Sequence, residues 1–280
     1  MSMPRILAIG LLCCMAVYLF VTAPPELDDR AVRASGSDAV TVERLFNVAN
    51  SINDAARLVY TKQIVGGGKA AGLEFGENWA EPGVEKGPLP ALFLRLVAAR
   101  LETKPEPLGL YLGSDQPINK SNIFTGRQLE QFLAVKDSGQ AAFGSTETGF
   151  LVGMYPDLAS AQPCVTCHND HPDSPKTDWK LGDIMGATTW TYPKQAASAA
   201  ELLAVSDAVF TAVEESYQIY LDKAQGFASP VATGPDWPTK GMRVLPDAQT
   251  FMAEVRAVAA ARVLDELIVA RLPEKERHMQ

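Results

Sequence analysis

Apolar positions recur at helical spacing near both ends of the chain and alternate in short runs through its middle, a distribution that predicts an α+β fold. In "TVERLFNVANSINDAARLVYTKQIVGGG" the residues Val42, Leu45, Phe46, Ala49, Ile52, Ala56, Val59 and Tyr60 share one helical face. Gly66 is expected to end that helix. A second helix opens at Pro88 and Pro90, carries Leu92, Phe93, Leu96, Val97 and Leu101, and stops before Pro105.

From there to Tyr192 the period shortens. "LGLYLG", "QAAFG", "GFLVGMYP" and "DIMGATTWTYP" read as strands of an antiparallel sheet, with a small helix around Leu129 to Val135. After Pro193 the helical pattern returns: Leu202, Val205, Val209, Val213 and Tyr217 mark one face of a long helix. An irregular connector, "GFASPVATGPDWPTKGMRVLP", leads to a final helix from Asp247, whose stripe of Phe251, Val255, Val258, Val263 and Leu267 reads as packing surface. The pattern contains no internal repeat and no second globular domain.

One segment departs from globular patterning. Arg5 precedes the uncharged run "ILAIGLLCCMAVYLFVTA", residues 6–23, which has the form of an export signal and is just long enough to cross a membrane. Val21-Thr22-Ala23 offers a cleavage site, while Pro24 hinders a peptidase, so a cleaved signal and a retained anchor both stay open. Cys13 and Cys14 are read as apolar filler of this run. Either way the rest of the chain is expected outside the cytoplasm, in the periplasm or anchored to the inner membrane facing it.

Composition narrows the partners. The 280 residues carry a net charge of −8, with no cluster of Lys and Arg. Nucleic acid is therefore excluded as a general partner, because such binding needs clustered cations to displace counterions.

The remaining cysteines fall in "QPCVTCHND", residues 162–170, beside one of the three histidines in the chain. Cys-x-x-Cys-His is the attachment signal for c-type haem, in which two thiols form thioethers and the adjacent His168 ligates the iron. Zinc is the main rival, since His171 completes a set of four with Cys164, Cys167 and His168. Structural zinc sites, however, usually draw ligand pairs from separated knuckles. A redox dithiol calls for the pair at the start of a helix in an α/β fold, whereas Pro163 before the motif and Pro172 after it indicate a loop between the last two strands. A plain disulfide would close too short a loop to stabilise much. Export favours haem, because bacterial haem attachment occurs outside the cytoplasmic membrane.

Beyond this motif, "PLPALFLRLVAARLETKPEPLGLYLGSDQPINKSN", "CVTCHND" and "DWKLGDIMGA" resemble the Tll0287-like c-type haem family, also called DUF3365, over about Leu45 to Tyr192. The most specific pieces are Tyr111 with Ser114, Pro117 and Asn119, the Cys-x-x-Cys-His, and Gly182, Asp183 and Gly186. The resemblance implies a PAS-like sheet flanked by helices and one covalent haem c on Cys164 and Cys167, with His168 as axial iron ligand. The chain then divides into three segments: a signal or anchor over 1–23, the haem domain over 40–193 and a C-terminal helical extension over 194–280. The family pattern also implies a second axial ligand, a cysteine, from the N-terminal helical region, where Val42 to Val65 holds no Cys, His or Met. Candidates for that position are Met154, Met185, Tyr60 and Lys62; His171 is too near His168 in sequence, and His278 lies in the tail. For Gly182, Asp183 and Gly186, an ordinary turn and contact with the haem both stay open.

Three functions follow from the resemblance. The first is a redox or small-ligand sensor that takes a diatomic ligand or responds to redox state. The second is a periplasmic electron carrier docking a redox partner protein. The third, haem peroxidase chemistry, needs a distal acid–base group and ranks last, so the chain reads as a binding protein sooner than an enzyme. Export is tested by fusing residues 1–30 to a reporter active only outside the cytoplasm: activity is expected, and a silent but expressed fusion contradicts it.

Overall fold

The computed structural model describes residues 39–235, 237 and 243–269. The expected targeting segment, with Cys13 and Cys14, and the tail with His278 lie outside the described residues. From Val40 onward the described residues belong to one unit. Among the described residues no helix is long and apolar enough to cross a membrane.

Helix α1, Val42–Val59, buries the stripe read from the sequence, and its N-terminus is capped by Thr41, whose Oγ1 accepts from the Arg44 amide at 3.3 Å. The expected stop at Gly66 is overturned: the helix runs on as a π-helical stretch, Tyr60–Gly67, and a last turn, Gly68–Ala70. The glycines here serve close approach. A Cβ on Gly67 would lie 2.8 Å from the Trp237 ring and one on Gly68 2.9 Å from Phe75.

The four segments read as strands form one antiparallel sheet: β1 Gly109–Gly113, β2 Ala142–Ser145, β3 Leu151–Leu158 and β4 Ile184–Tyr192, in the order β1-β4-β3-β2. Registers such as Leu110↔Trp190 and Met154↔Thr189 put alternate residues on opposite faces. Leu110, Trp190 and Tyr192 face the main core, into which α1 packs. Met154 and Ala187 face a smaller cluster with Phe132 and Val135 of α3, Gly126–Ser138, which covers the other side. Helix α2, Pro90–Leu101, joins the main core through Phe93, Leu94, Val97 and Leu101.

The Cys-x-x-Cys-His segment is also helical, as α4, Gln162–Asp170, between β3 and β4. This corrects the expectation of a loop. The C-terminal helices are α5, Ala199–Gln225, and α6, Ala248–Val269. A capping box opens α5, in which the Ser198 Oγ accepts from the Glu201 amide and the Glu201 carboxylate accepts from the Ser198 amide. Two three-residue parallel pairs, Glu74–Gly76 with Lys86–Pro88 and Ala232–Gly234 with Val244–Pro246, are too short to leave a period in the sequence.

Both C-terminal helices share the main core with α1 and α2. An aromatic column links them: Tyr60 stacks on Phe93 at 4.1 Å, Phe93 meets Phe251 edge-on at 6.1 Å, and Phe251 stacks on Tyr217 at 4.1 Å. Each such pair contributes about 0.5–1.5 kcal/mol beyond burial. Two phenols in the column are also satisfied, Tyr60 donating to the Pro88 carbonyl and Tyr217 to the Pro246 carbonyl, each at 2.8 Å.

One close contact sets the start of β4 against the end of β1. A Cβ on Gly186 would lie 2.6 Å from the Gly113 carbonyl oxygen, a backbone atom that cannot swing aside. Gly186→Ala is expected to destabilise the fold by about 1–3 kcal/mol, read as a lower denaturation midpoint at unchanged slope; an unchanged midpoint contradicts the packing described.

Candidate functional site

Prolines misled the sequence reading of α4 because they stand where a helix tolerates or requires them. Pro163 occupies the first turn, where its missing N–H has no helical partner to lose. Pro172 holds the preceding His171 extended, with φ −69° and ψ 130°, and so ends the helix. Within α4, Cys164, Cys167 and His168 are spaced i, i+3, i+4 and share a face. Val165, beside that face, is buried in a small apolar cluster with Ala159, Trp179 and Met185, against which Cys164 also packs.

The helix is also clamped through Asn169. The Asn169 amide donates to the Trp179 carbonyl at 3.0 Å and its oxygen accepts from the Trp179 N–H at 2.8 Å. Trp179 also meets His168 edge-on, ring centroids 6.5 Å apart.

The shared face of α4 opens on a cavity of about 600 Å³ at one end of the sheet, within the range of small-molecule and cofactor sites. Leu89, Pro90 and Leu94 around the start of α2, with Leu112, Ile118 and Met185, supply apolar wall. Cys164, Cys167, His168 and His171 lie on the same wall, as do Ser114, Pro117, Asn119 and Gly186. The fold thus gathers pieces that are dispersed in sequence. Ser114 braces the wall, its hydroxyl donating to the Met185 carbonyl at 2.6 Å. Gly182 and Asp183 form a turn instead: Gly182 has φ +88°, and the Asp183 carboxylate accepts from the Lys180 amide at 2.9 Å. Tyr111 lies against the α3 cluster, its hydroxyl donating to the Ser121 carbonyl at 3.2 Å.

The four residues considered for the opposite side of the iron separate. Met185 is on the cavity wall and also in the cluster beneath α4. Met154 is fully buried in the α3 cluster. Tyr60 is fully buried in the aromatic column, and Lys62 is exposed on the π-helical stretch. Among the described residues no three His, Cys, Asp or Glu side chains converge into a set able to hold a metal ion, so the zinc set completed by His171 is not assembled.

Two arginines and an aspartate on the wall went unread in the sequence. Arg57, near the end of α1, pairs with Asp157 at the end of β3 and donates to the Thr188 hydroxyl at 2.8 Å. Arg95, from α2, is the second guanidinium. Nothing local marked Arg57, Arg95 or Asp157. The imidazole of His171 accepts from the Asp173 amide at Nδ1, 3.1 Å, so its Nε2 carries the proton and donates to Glu77 at 3.3 Å.

Burial holds the His168 imidazole below its ordinary pKa, with His171 adding to the effect and Asp157 and Glu77 opposing it. At neutral pH the ring is therefore neutral, the form whose lone pair binds a metal. Burial also pushes the Cys167 thiol up, helped by the Glu77 carboxylate. Cys164 and Cys167 are free thiols. The pair does follow a strand and open a helix, the placement that a redox dithiol calls for.

With Cys164→Ser isolating it in the haem-free chain, Cys167 is expected to react with iodoacetamide more slowly at neutral pH than free cysteine does. Its rate should climb only at higher pH, because the thiolate is the nucleophile. A faster rate than free cysteine at neutral pH contradicts this.

Comparison with curated proteins and with solved structures finds no match. Comparison with models of protein families matches the Tll0287-like family over residues 38–193. That span holds the whole sheet, α2, α4 and every cavity residue named above, and it exceeds half of the chain, which therefore belongs to the Tll0287-like family.

Proposed function

We infer that this protein is an exported single-haem c-type cytochrome whose PAS-like domain senses redox state or a small ligand. The observation that carries the reading is the helical face of Cys164, Cys167 and His168 turned into a largely apolar cavity of about 600 Å³. The residues present fit haem. Two free thiols and a neutral imidazole are the donor set that covalent haem requires. The Nδ1 of His168 is buried without a partner, an orphan of the kind that a bound group or an ordered water accounts for. The antiparallel sheet with helices on both faces supports a PAS-like arrangement.

In this reading Cys164 and Cys167 would hold the haem through thioether bonds and His168 would ligate its iron. The Asn169–Trp179 clamp fixes the helix that carries all three. The Arg57–Asp157 pair keeps two charged groups at the cavity mutually neutralised. A haem held there would supply an iron able to change oxidation state.

Wall chemistry favours sensing. Besides His168, the wall's nitrogen and sulfur donors of high iron affinity are His171, engaged at both ring nitrogens, and Met185, packed beneath α4. Thr61, Ser114, Gln116 and Asn119 offer hydroxyl and amide groups, which are weak donors. An exogenous ligand therefore meets little competition. Electron transfer is the second reading, favoured by the exposure of Cys167, which brings one thioether edge to solvent.

In the full chain made alongside haem-maturation machinery, Cys164→Ala should leave one thioether, and Cys164→Ala with Cys167→Ala should abolish attachment, read by intact mass. Attachment surviving in the double variant contradicts the assignment. The ferrous wild type is expected to bind carbon monoxide readily. A thioether-to-iron charge-transfer band that disappears in Met185→Ala would instead move the function to electron transfer.

A further inference from the structure

We propose that Arg95 anchors a haem propionate by pairing its guanidinium with the carboxylate; the inference rests on the haem reading above and assigns Arg95 a role within that site. Haem carries two propionates, which are carboxylates at neutral pH, and a carboxylate taken into an apolar cavity needs a cation or several hydrogen bonds. The cavity wall offers two guanidinium groups, Arg57 and Arg95. Arg57 is engaged by Asp157 and Thr188.

Arg95 is different. Among the described residues it makes no ion pair and no hydrogen bond, yet it is half-buried on the face of α2 that it shares with Ala91 and Leu92, both on the cavity wall. A half-buried cation without a partner is costly in such surroundings. Its field reaches Tyr111, where it partly offsets the effect of burial on the phenol. The acidic groups of the wall do not satisfy it: Asp157 is paired with Arg57, Glu77 takes the His171 proton, and Asp173 sits exposed past the end of α4. The planar fork of an arginine matches a carboxylate with two parallel N–H···O bonds, which fixes orientation as well as charge. Cys164 and Cys167 fix the vinyl side of the haem, so a cation on α2, a separate element, fixes a second edge and sets the ring's rotation in the cavity.

The test uses the full chain with its haem attached, comparing wild type, Arg95→Gln and Arg95→Lys by intact mass and by midpoint potential across roughly pH 5 to 8, a window above the ordinary carboxylate range. A propionate held by Arg95 stays ionised throughout, so it adds no slope to the wild-type potential. Arg95→Gln should retain the haem mass and show a lower potential, because the uncompensated carboxylate stabilises the ferric state. It should also gain a slope at the acid end, as the carboxylate pKa rises toward that window. Arg95→Lys should recover most of the potential. A potential and pH profile in Arg95→Gln that coincide with wild type, haem attached, overturn the proposal. If Arg95→Gln fails to accumulate, Arg95→Met, which keeps the length of the side chain and removes its charge, is read in its place: a lowered potential with an acid-end slope supports the pairing, and a profile that coincides with wild type overturns it. A wild-type chain of bare polypeptide mass overturns the haem reading itself, which separates that failure from this one.

Discussion

The site depends on one constraint: α4 must be a helix, and it must be held in place by Val165 and Asn169 beside its cavity-facing side. Helical pitch alone brings residues three and four apart onto one side, so Cys164, Cys167 and His168 converge only while that turn persists. A nine-residue helix has little stability of its own. Val165 in its apolar cluster and the two hydrogen bonds between Asn169 and Trp179 provide the tertiary support. The same chain segment that leaves β3 and returns as β4 thus carries both the reactive face and its support.

The rest of the fold keeps a cavity in front of that face. Gly186 lets β4 start flush against the end of β1, and Ser114 ties the following loop to Met185, so one wall is backbone held to backbone. The wall from α1 is set by Arg57, bound to both β3 and β4 through Asp157 and Thr188. Farther off, the aromatic column from Tyr60 to Tyr217 joins the extension of α1 to α2, α5 and α6. The column thus packs α1 and α2, which both border the cavity, against the C-terminal helices.

The sequence made the regular parts legible. All four strands stood out as short runs between turn signals, and the long helices by their stripes. The elements missed share a cause: local signals that carry two meanings. Pro163 and Pro172 mark loops as often as helix ends, and α4 has only Val165 as a buried apolar residue, too little for a period. Gly66, Gly67 and Gly68 resemble a helix stop, whereas Gly67 and Gly68 make room for Trp237 and Phe75, whose approach is a tertiary fact. At the site, the Cys-x-x-Cys-His spacing was local and readable. Which further residues reach the cavity was not, since Arg57, Arg95 and Asp157 arrive from three elements. Strand alternation alone could not say that Met154 faces α3 while Met185 reaches the wall.

The central claim is that the cavity-facing side of α4 carries a covalently attached haem. Its most direct test is a reduced-minus-oxidised difference spectrum of the full chain made alongside haem-maturation machinery, recorded before and after acid-acetone extraction. The account predicts the sharp paired visible bands of a c-type haem in the first spectrum, with the chromophore remaining on the polypeptide after extraction. A flat difference spectrum, or a chromophore that leaves entirely with the solvent, would contradict it.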